Sequence, residues 1–475
     1  MAAVNPTFAV LKEKYFGDIR FWIMLFFVLR LIGITDPPLE IAHNWRQVTG
    51  NMVARNFFEI DSNILYPRLD IAGEKTGITG TEFSVLNYLM YLLSLLIGFH
   101  DWFGRLINLI ISSIGVLYFY KLLKLKFDER FSFYAAFLLL SSMWLMFSRK
   151  VMPDTFSVSL VIIGLYHVFR YFGNARLFHA FLYFLFITAG VLSKIPAAYL
   201  LIVIAFPLLD PAIGWKQKVW VLLFSFCMLI PVAWWYFYWV PYLVQHYGFS
   251  HYYMGTSFSQ GLSELLNNLS PTLEKFYFDA MKFTGFAASL FGLYFALKNK
   301  ERRLLWIMFL CSLVFMVFML KAGRNFYHHS YYIVPFVPVM CLLGAYAIVQ
   351  IKKPWLQILA VFFITIESIA NQQHDFRIKD SEKYKLSLET IADKFTSNSD
   401  LVAINGGDNP QQMYFLHRKG WTITTEQAND AAYVKELRDK GCRFIFINKH
   451  LLQGNEQGLH YPIVYSDENF IVYSL

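Results

Sequence analysis

What most limits this chain is its succession of apolar runs. About twenty apolar residues suffice to cross the hydrocarbon core of a bilayer as a helix, with allowance for short or tilted segments. Runs of that kind fall at about 19–35, 102–121, 131–147, 156–172, 177–193, 195–209, 218–240, 278–297, 304–320, 328–349 and 354–371. They predict an all-α polytopic membrane domain of about eleven spans. Phe21 to Ile34 has no small-residue cleavage site behind it and reads as an uncleaved first span.

The connections give the expected orientation. "KLLKLKFDER", "RYFGNAR", "GWKQK", "KNKERR" and "IKKP" lie between alternate spans, and the N-terminal "LKEK" joins them on one side. Short basic loops stay cytoplasmic, so this parity puts the N-terminus inside. It requires the further apolar run "SVLNYLMYLLSLLIGF", Ser84 to Phe99, not to cross, and that run reads as an interfacial or re-entrant helix. The opposite face then receives a long loop from about 35 to 101, "SRKVMPDTF", a loop from Pro241 to Tyr277, "KAGRNFYHHS", and the tail.

Composition agrees with this reading. The chain of 475 residues is 56% hydrophobic and 16% charged, too apolar for a soluble enzyme of that length. The net charge of +9 sits in the short connections, a topology signal that argues against a nucleic-acid partner. Cys227, Cys311, Cys341 and Cys442 are far apart and offer neither a disulfide framework nor a CxxC metal site. Beyond about 372 the sequence turns polar. Strand-like "DLVAIN", "CRFIFIN" and "NFIVYSL" alternate with helical "SLETIADKF" and "AAYVKELRDK", which predicts a small soluble α/β domain over 372–475 after a membrane domain over 1–371.

Ionisable groups beside apolar spans mark either solvated loops or function. Asp154 follows Pro153 at a span start, where an acid also meets the positive end of the helix dipole. The first outward loop opens with Asp36, Glu40, His43, Trp45, Arg46 and Gln47, continues through the helical "VTGNMVARNF" containing Arg55, and ends at Glu82. A carboxylate from this loop could converge with Asp154, one deprotonating an acceptor hydroxyl and the other orienting it or binding a cation. Lys194 in "LSKIPA" and "KAGRNFYHHSYY", with Lys321, Arg324, His328, His329, Tyr331 and Tyr332, suit an anionic headgroup. Snorkelling to the interface would equally explain Lys194 and Lys321. The aromatic stripe "PVAWWYFYWVPY" fits an interfacial belt better than a sugar platform.

The acidic first outward loop with its "ARNF" helix, "EFSVLNYL", "RKVMPDTF", "LSKIPA" and "YYIVPFVP", in that order and on one face, resemble the C-type superfamily of integral membrane glycosyltransferases. The likeness is to the branch of protein O-mannosyltransferases and the lipid A aminoarabinose transferase. It covers most of the membrane portion. The resemblance implies an inverting transferase that takes a sugar from a polyprenyl-phosphate-linked donor and gives it to a lipid, glycan or protein acceptor on the non-cytoplasmic face of a bacterial inner membrane. The positions that hold an acidic pair in those relatives carry Arg46 and Gln47 here, so the base falls to Asp36, Glu40 or His43. Phe83 follows Glu82 where the lipid A enzymes have a Lys, which passes one phosphate contact to Arg46, Lys194 or Arg324. Arg55, Glu82, His328, His329 and Tyr332 complete the expected substrate and phosphate contacts. No cofactor is required; a divalent cation, Mg²⁺, Mn²⁺ or Ca²⁺, is an option for carboxylates such as Asp36 and Asp154.

Two other readings stand beside it. A lipid-linked sugar transporter or flippase would place ionisable groups along several span interiors; here the polar groups concentrate at one membrane face, with Arg30 the main exception. A polysaccharide polymerase or ligase would use the same residue types. The tail, with "NGGDNPQQMYFLHRKGW", reads as a carbohydrate-binding module, an acceptor-docking surface or a lid, and that stretch fits a βα turn equally well.

Overall fold

The computed structural model describes residues 17–40, 42–251, 255–452 and 460–475. Every one of the apolar runs is helical, and the chain is a multi-pass membrane protein. By length and composition, six described helices can cross a bilayer: Phe103–Lys124, Pro153–Asn174, Trp215–Tyr247, Arg302–Ala322, Ser330–Gln350 and Pro354–Phe376. A seventh arises if Leu269–Ala280 and Lys282–Lys298, bent by 95°, form one span.

The shortfall from eleven has local causes. The first run is helical only over Ile19–Arg30, where the Arg30 Nε turns back to the Phe26 carbonyl at 2.9 Å. The third breaks at Ser141–Met143 into Glu129–Leu140 and Trp144–Phe147. Leu177–Ser193 and Ile195–Leu209 are apolar but short. Most of the latter is 3-10 helix, Ile195–Ile204, whose larger rise lets few residues travel farther. The run after Ser84 forms Val85–Ile97, 13 residues. At 1.5 Å per residue that is about 20 Å, short of a hydrocarbon core of ~30 Å.

The chain divides into two compact units, each discontinuous in sequence. The first comprises Met1–Ile34, Arg105–Trp235 and Tyr253–Phe376. Its densest part is the antiparallel pair Pro153–Asn174 and Leu177–Ser193, where Gly190 packs with its Cα against Val161 and Leu160. Any Cβ at Gly190 would come within 3.0 Å of the Ser157 carbonyl, so glycine is what lets these helices touch.

The second unit comprises Thr35–Gly104, Tyr236–Tyr252 and Arg377–Leu475. Its sheet has strands β1 Leu401–Asn405, β2 Lys419–Ile423, β3 Cys442–Asn448, β4 Ile463–Ser466 and β5 Phe470–Ser474, in the order β2-β1-β3-β5-β4. β2, β1 and β3 run parallel; β5 and β4 close the edge antiparallel. Alternation along β1 sends Val402 and Ile404 to one face and Ala403 to the other. Ala403 meets Val434 and Leu437 of the helix Ala431–Asp439. Val402 and Ile404 share a core with Leu388 and Ile391, and with Val48, Met52 and Phe57 from the loop helix Asn44–Glu59. The segment 35–104 and the tail thus fold around one hydrophobic core. The loop also joins the sheet's edge through its backbone: the Gly73 amide donates to the Gly420 carbonyl at 2.8 Å, and the Gly420 amide to the Asp70 carbonyl at 2.9 Å.

Candidate functional site

Within the first unit, "SRKVMPDTF" forms a buried turn between the helices Trp144–Phe147 and Pro153–Asn174. A turn at this depth must satisfy its carbonyls internally. Asn108 does so: its Nδ2 lies 3.1, 2.9 and 3.2 Å from the carbonyls of Phe147, Lys150 and Met152. Its Oδ1 accepts from Ser112 Oγ at 2.9 Å and Thr155 Oγ1 at 3.1 Å, which fixes the amide's orientation. Pro153 then opens the helix, with Asp154 in its first turn.

The neighbouring helix ends at the same level. Ser157 Oγ donates to the carbonyls of Gly190, at 2.7 Å, and Lys194, at 3.2 Å. Lys194 caps that helix in an extended conformation and Ile195–Ile204 follows from it. This geometry brings Lys194 Nζ to 2.6 Å from Asp154 Oδ1, with side-chain exposures of 12% and 1%. The ammonium also lies 4.8 Å from the centre of the Tyr331 ring and 5.9 Å from that of Tyr332. His329 stacks beside both, at 5.1 and 5.9 Å. The 3-10 segment Ser330–Phe336 carrying these tyrosines is held by Tyr199, whose hydroxyl donates to the Pro335 carbonyl at 2.6 Å.

More buried charge adjoins this cluster along the turn. Lys150 pairs with Asp375 at 3.1 Å, both nearly inaccessible, and the Arg149 guanidinium lies 4.0 Å above the Phe376 ring. Arg30 Nη1 donates to Ser148 Oγ at 2.6 Å. Asp375 escaped sequence reasoning because it stands just past the last apolar run, where an acid reads as the start of a polar tail. Its signal is its position: an acid one helix-turn beyond a span that ends on the same face as "SRKVMPDTF".

Arg324 and His328 are exposed on the short helix Arg324–His328. The Arg324 amide donates to Glu264 Oε2 at 2.6 Å, and Lys321 Nζ donates to the Thr256 carbonyl at 2.6 Å. Of the expected residues in this unit, Asp154, Lys194, His329 and Tyr332 come together. No contact joins Arg324 or His328 to them among the described residues.

The expected residues of the loop after the first apolar run lie in the second unit. Asp36 is half-buried; Glu40 is buried and accepts from Gln47 Nε2 at 2.9 Å. His43 caps the loop helix in a left-handed conformation, φ 64°. Arg46 pairs with Glu82 at 2.7 Å. Burial, with the Arg46 charge as the next cause, pushes the His251 imidazole down to about 4, so it is neutral beside that pair at neutral pH. Arg55 is committed to structure: it pairs with Asp70 at 2.9 Å, donates to the Tyr414 carbonyl at 3.2 Å and lies 4.6 Å from the Tyr414 ring. Among the described residues no group of three or more His, Cys, Asp or Glu converges as metal ligands would.

Residues 84–237 match the family of dolichyl-phosphate-mannose-protein mannosyltransferases. The structure is similar over 95% of this chain to ArnT from Cupriavidus metallidurans bound to undecaprenyl phosphate, with a TM-score of 0.59, 11% identity and 98% of that chain covered. Apo ArnT gives 0.58 at 11% identity, covering 95% of this chain and 97% of that one. The chain has the fold of the C-type membrane glycosyltransferases. The oligosaccharyltransferase of Archaeoglobus fulgidus in its apo form shares this fold more distantly: TM-score 0.53, 13% identity, covering 90% of this chain and 70% of that one. No curated protein matches the sequence. The C-type fold here thus rests on architecture, and the mannosyltransferase match begins at Ser84 and includes the Asp154 turn and Lys194.

Proposed function

We propose that this protein is an inverting membrane glycosyltransferase that moves a sugar from a polyprenyl-phosphate-linked donor to a lipid, glycan or protein acceptor. The observation that carries the reading is the Asp154–Lys194 pair at two adjoining helix ends, walled by Tyr331, Tyr332 and His329. ArnT, whose fold it shares, has been crystallised with undecaprenyl phosphate. In this reading residues 1–371 are the transferase domain and 372–475 an extracytoplasmic α/β domain. The protein sits in a bacterial inner membrane with its N-terminus cytoplasmic.

The chemistry follows from the leaving group. The acceptor oxygen attacks the anomeric carbon, the bond from that carbon to the phosphate oxygen breaks, and configuration inverts. The acceptor proton passes to a carboxylate of the first loop, Asp36 or Glu40. The departing polyprenyl phosphate gains negative charge and is weakly basic, so cationic stabilisation matters more than a general acid. Lys194 supplies that charge and Asp154 positions it. Tyr332 and His329 offer hydroxyl and imidazole donors to the phosphate or sugar. The residues do not fit a resident Mg²⁺, Mn²⁺ or Ca²⁺ at Asp154, because the Lys194 ammonium already lies against its carboxylate. No step is routed through such an ion.

The test is release of free polyprenyl phosphate by purified protein given a panel of polyprenyl-phosphate sugars. Wild type should release it, and D154N, K194Q, and at least one of D36N and E40Q should not, despite folding. Donor binding without release, with diverse acceptors present, would move the assignment to a lipid-linked sugar transporter.

A further inference from the structure

Within the first unit a cavity of about 650 Å³ opens at the end of the bundle that carries the basic connections. Its wall includes Phe119, Leu123, Leu165, Val203, Pro207 and Leu342, and its polar rim is Lys126, Arg303 and Asp210. On the Pro153–Asn174 helix its lining begins at Ile162, eight residues and about 12 Å from Asp154 at the helical rise, and runs past Phe169. None of Asp154, Lys194, His329, Tyr331 or Tyr332 lines it, so the cavity and the Asp154–Lys194 cluster share no residue.

Local structure explains the gap. The side facing Leu165 and Leu342 is closed by Ile195–Leu209, which is narrow 3-10 helix for most of its length and ends at Pro207, Asp210 and Pro211. The volume lies within the roughly 300–1,000 Å³ of ligand sites. Away from the rim the wall side chains named above are aliphatic or aromatic and suit an apolar occupant.

The rim specifies what an occupant carries at its head. Arg303 is exposed, donates to the Lys126 carbonyl at 2.6 Å and lies 5.9 Å from the Phe127 ring, so its guanidinium is anchored at the mouth. The Lys126 side chain is exposed beside it. The rim acid is tied into its own turn: the Asp210 carboxylate accepts from the Ala212 amide at 2.9 Å, and Lys218 Nζ donates to the Asp210 carbonyl at 2.7 Å. Basic pockets between membrane helices favour acidic lipid headgroups.

We propose that this cavity holds an acyl chain of an anionic phospholipid, its headgroup phosphate against Arg303 and Lys126. The lipid is a resident of the fold, distinct from the sugar donor, and the assignment does not depend on the reaction proposed above.

The test is native mass spectrometry of the full chain in detergent, titrated with palmitoyl-oleoyl phosphatidylglycerol or phosphatidylcholine. Phosphatidylglycerol should bind more tightly, and K126Q/R303Q should weaken it by roughly thirtyfold while leaving phosphatidylcholine unchanged, as two surface cations predict. V203W, which fills the cavity without touching the rim, should weaken both lipids. Lys126 and Arg303 are exposed and Val203 is half-buried, and an unchanged elution profile would show that both variants fold. Equal affinity for the two phospholipids, or phosphatidylglycerol binding unaffected by K126Q/R303Q, would overturn the proposal. So would undecaprenyl phosphate displacing phosphatidylglycerol from wild type but not from the double variant, which would make the cavity a donor-lipid site.

Discussion

Replacing Asp154 by Asn removes the carboxylate 2.6 Å from Lys194 and leaves an ammonium with only 12% side-chain exposure. At an effective dielectric of 20 the Coulomb attraction over that distance is about 6 kcal/mol, an upper bound that desolvation of both ions reduces. Removing one partner of such a pair usually costs about 3–5 kcal/mol because the other charge stays buried. The neighbouring rings of Tyr331 and Tyr332 retain part of the cation's stabilisation, so D154N should fall near the lower figure, about 3 kcal/mol. K194Q strands the carboxylate and should cost a similar amount. D154N/K194Q leaves two neutral amides that can hydrogen-bond, and its loss should be smaller than either single loss. Activity should behave oppositely. The double variant regains stability but lacks the cation at the phosphate, so release of polyprenyl phosphate should stay about 10²–10³-fold below wild type, as when a charge-stabilising donor is lost. Membrane proteins commonly unfold irreversibly, so stability is read as the rate of heat inactivation in detergent and activity as lipid phosphate released per unit folded protein. A double variant that recovers both quantities would refute the role of Lys194 as a charge donor. Additive losses would refute the pair itself.

Three further perturbations probe other parts. D375N should destabilise the protein by about 3 kcal/mol, read as faster heat inactivation, because it removes the carboxylate 3.1 Å from the buried Lys150 ammonium. Gly73 has φ +61°, and a Cβ there would lie 2.5 Å from Trp421 Cε2. G73A should therefore cost about 2 kcal/mol and shift the Trp421 emission, and pairing it with W421A should remove the steric part. As an imidazolium His417 donates from Nε2 to Glu59 at 2.9 Å and from Nδ1 to Glu389 at 2.6 Å, and Glu59 holds its pKa above the ordinary value. A raised folded pKa contributes stability that is complete below about pH 6.5 and disappears as pH rises through the folded value. H417Q should thus be less stable than wild type at pH 6 and approach it in alkaline solution. The three side chains are part-exposed, so the difference should stay below ~1 kcal/mol.

Hydropathy made the helical elements legible because bilayer thickness sets their length, and β1, β3 and β5 were legible because their apolar runs are short and bounded by turns. β2 and β4 were not. "KGWTI" contains glycine and lysine and gains strand form only by pairing with β1, and "IVYS" is a half-exposed edge strand. The same limit applies to the site. Asp154 and Lys194 stood out as charges beside apolar runs, yet their contact depends on Ser157 and Gly190 setting the spacing of two helices, which neither residue's neighbours in sequence reveal. Arg55 shows the converse: a basic residue in a resemblance motif that serves Asp70 and the Tyr414 ring. Residue type alone does not separate a phosphate ligand from a structural cation.

The question is then why a chain this apolar keeps Arg30, Arg149, Lys150, Asp154 and Asp375 nearly inaccessible at one end of its first unit. Stability is a poor reason, since well-packed apolar residues can replace a buried ion pair at no loss or with a gain of about 1–4 kcal/mol. Positioning is a better one. Asn108 uses its side chain to hold three carbonyls of the turn, and Ser157 ties the second helix to the first, so the backbone around Asp154 is fixed whether or not Lys194 is charged. A scaffold that holds itself without the ions leaves them available for an anionic ligand, and the aromatic wall beside Lys194 keeps the ammonium oriented when the ligand leaves. It follows that substitutions at Asn108 and at Lys194 should separate: N108A should lower stability and activity together, whereas K194R should keep the charge and the fold and lower activity alone, because a planar guanidinium cannot occupy the ammonium's place against Asp154 and two tyrosine rings.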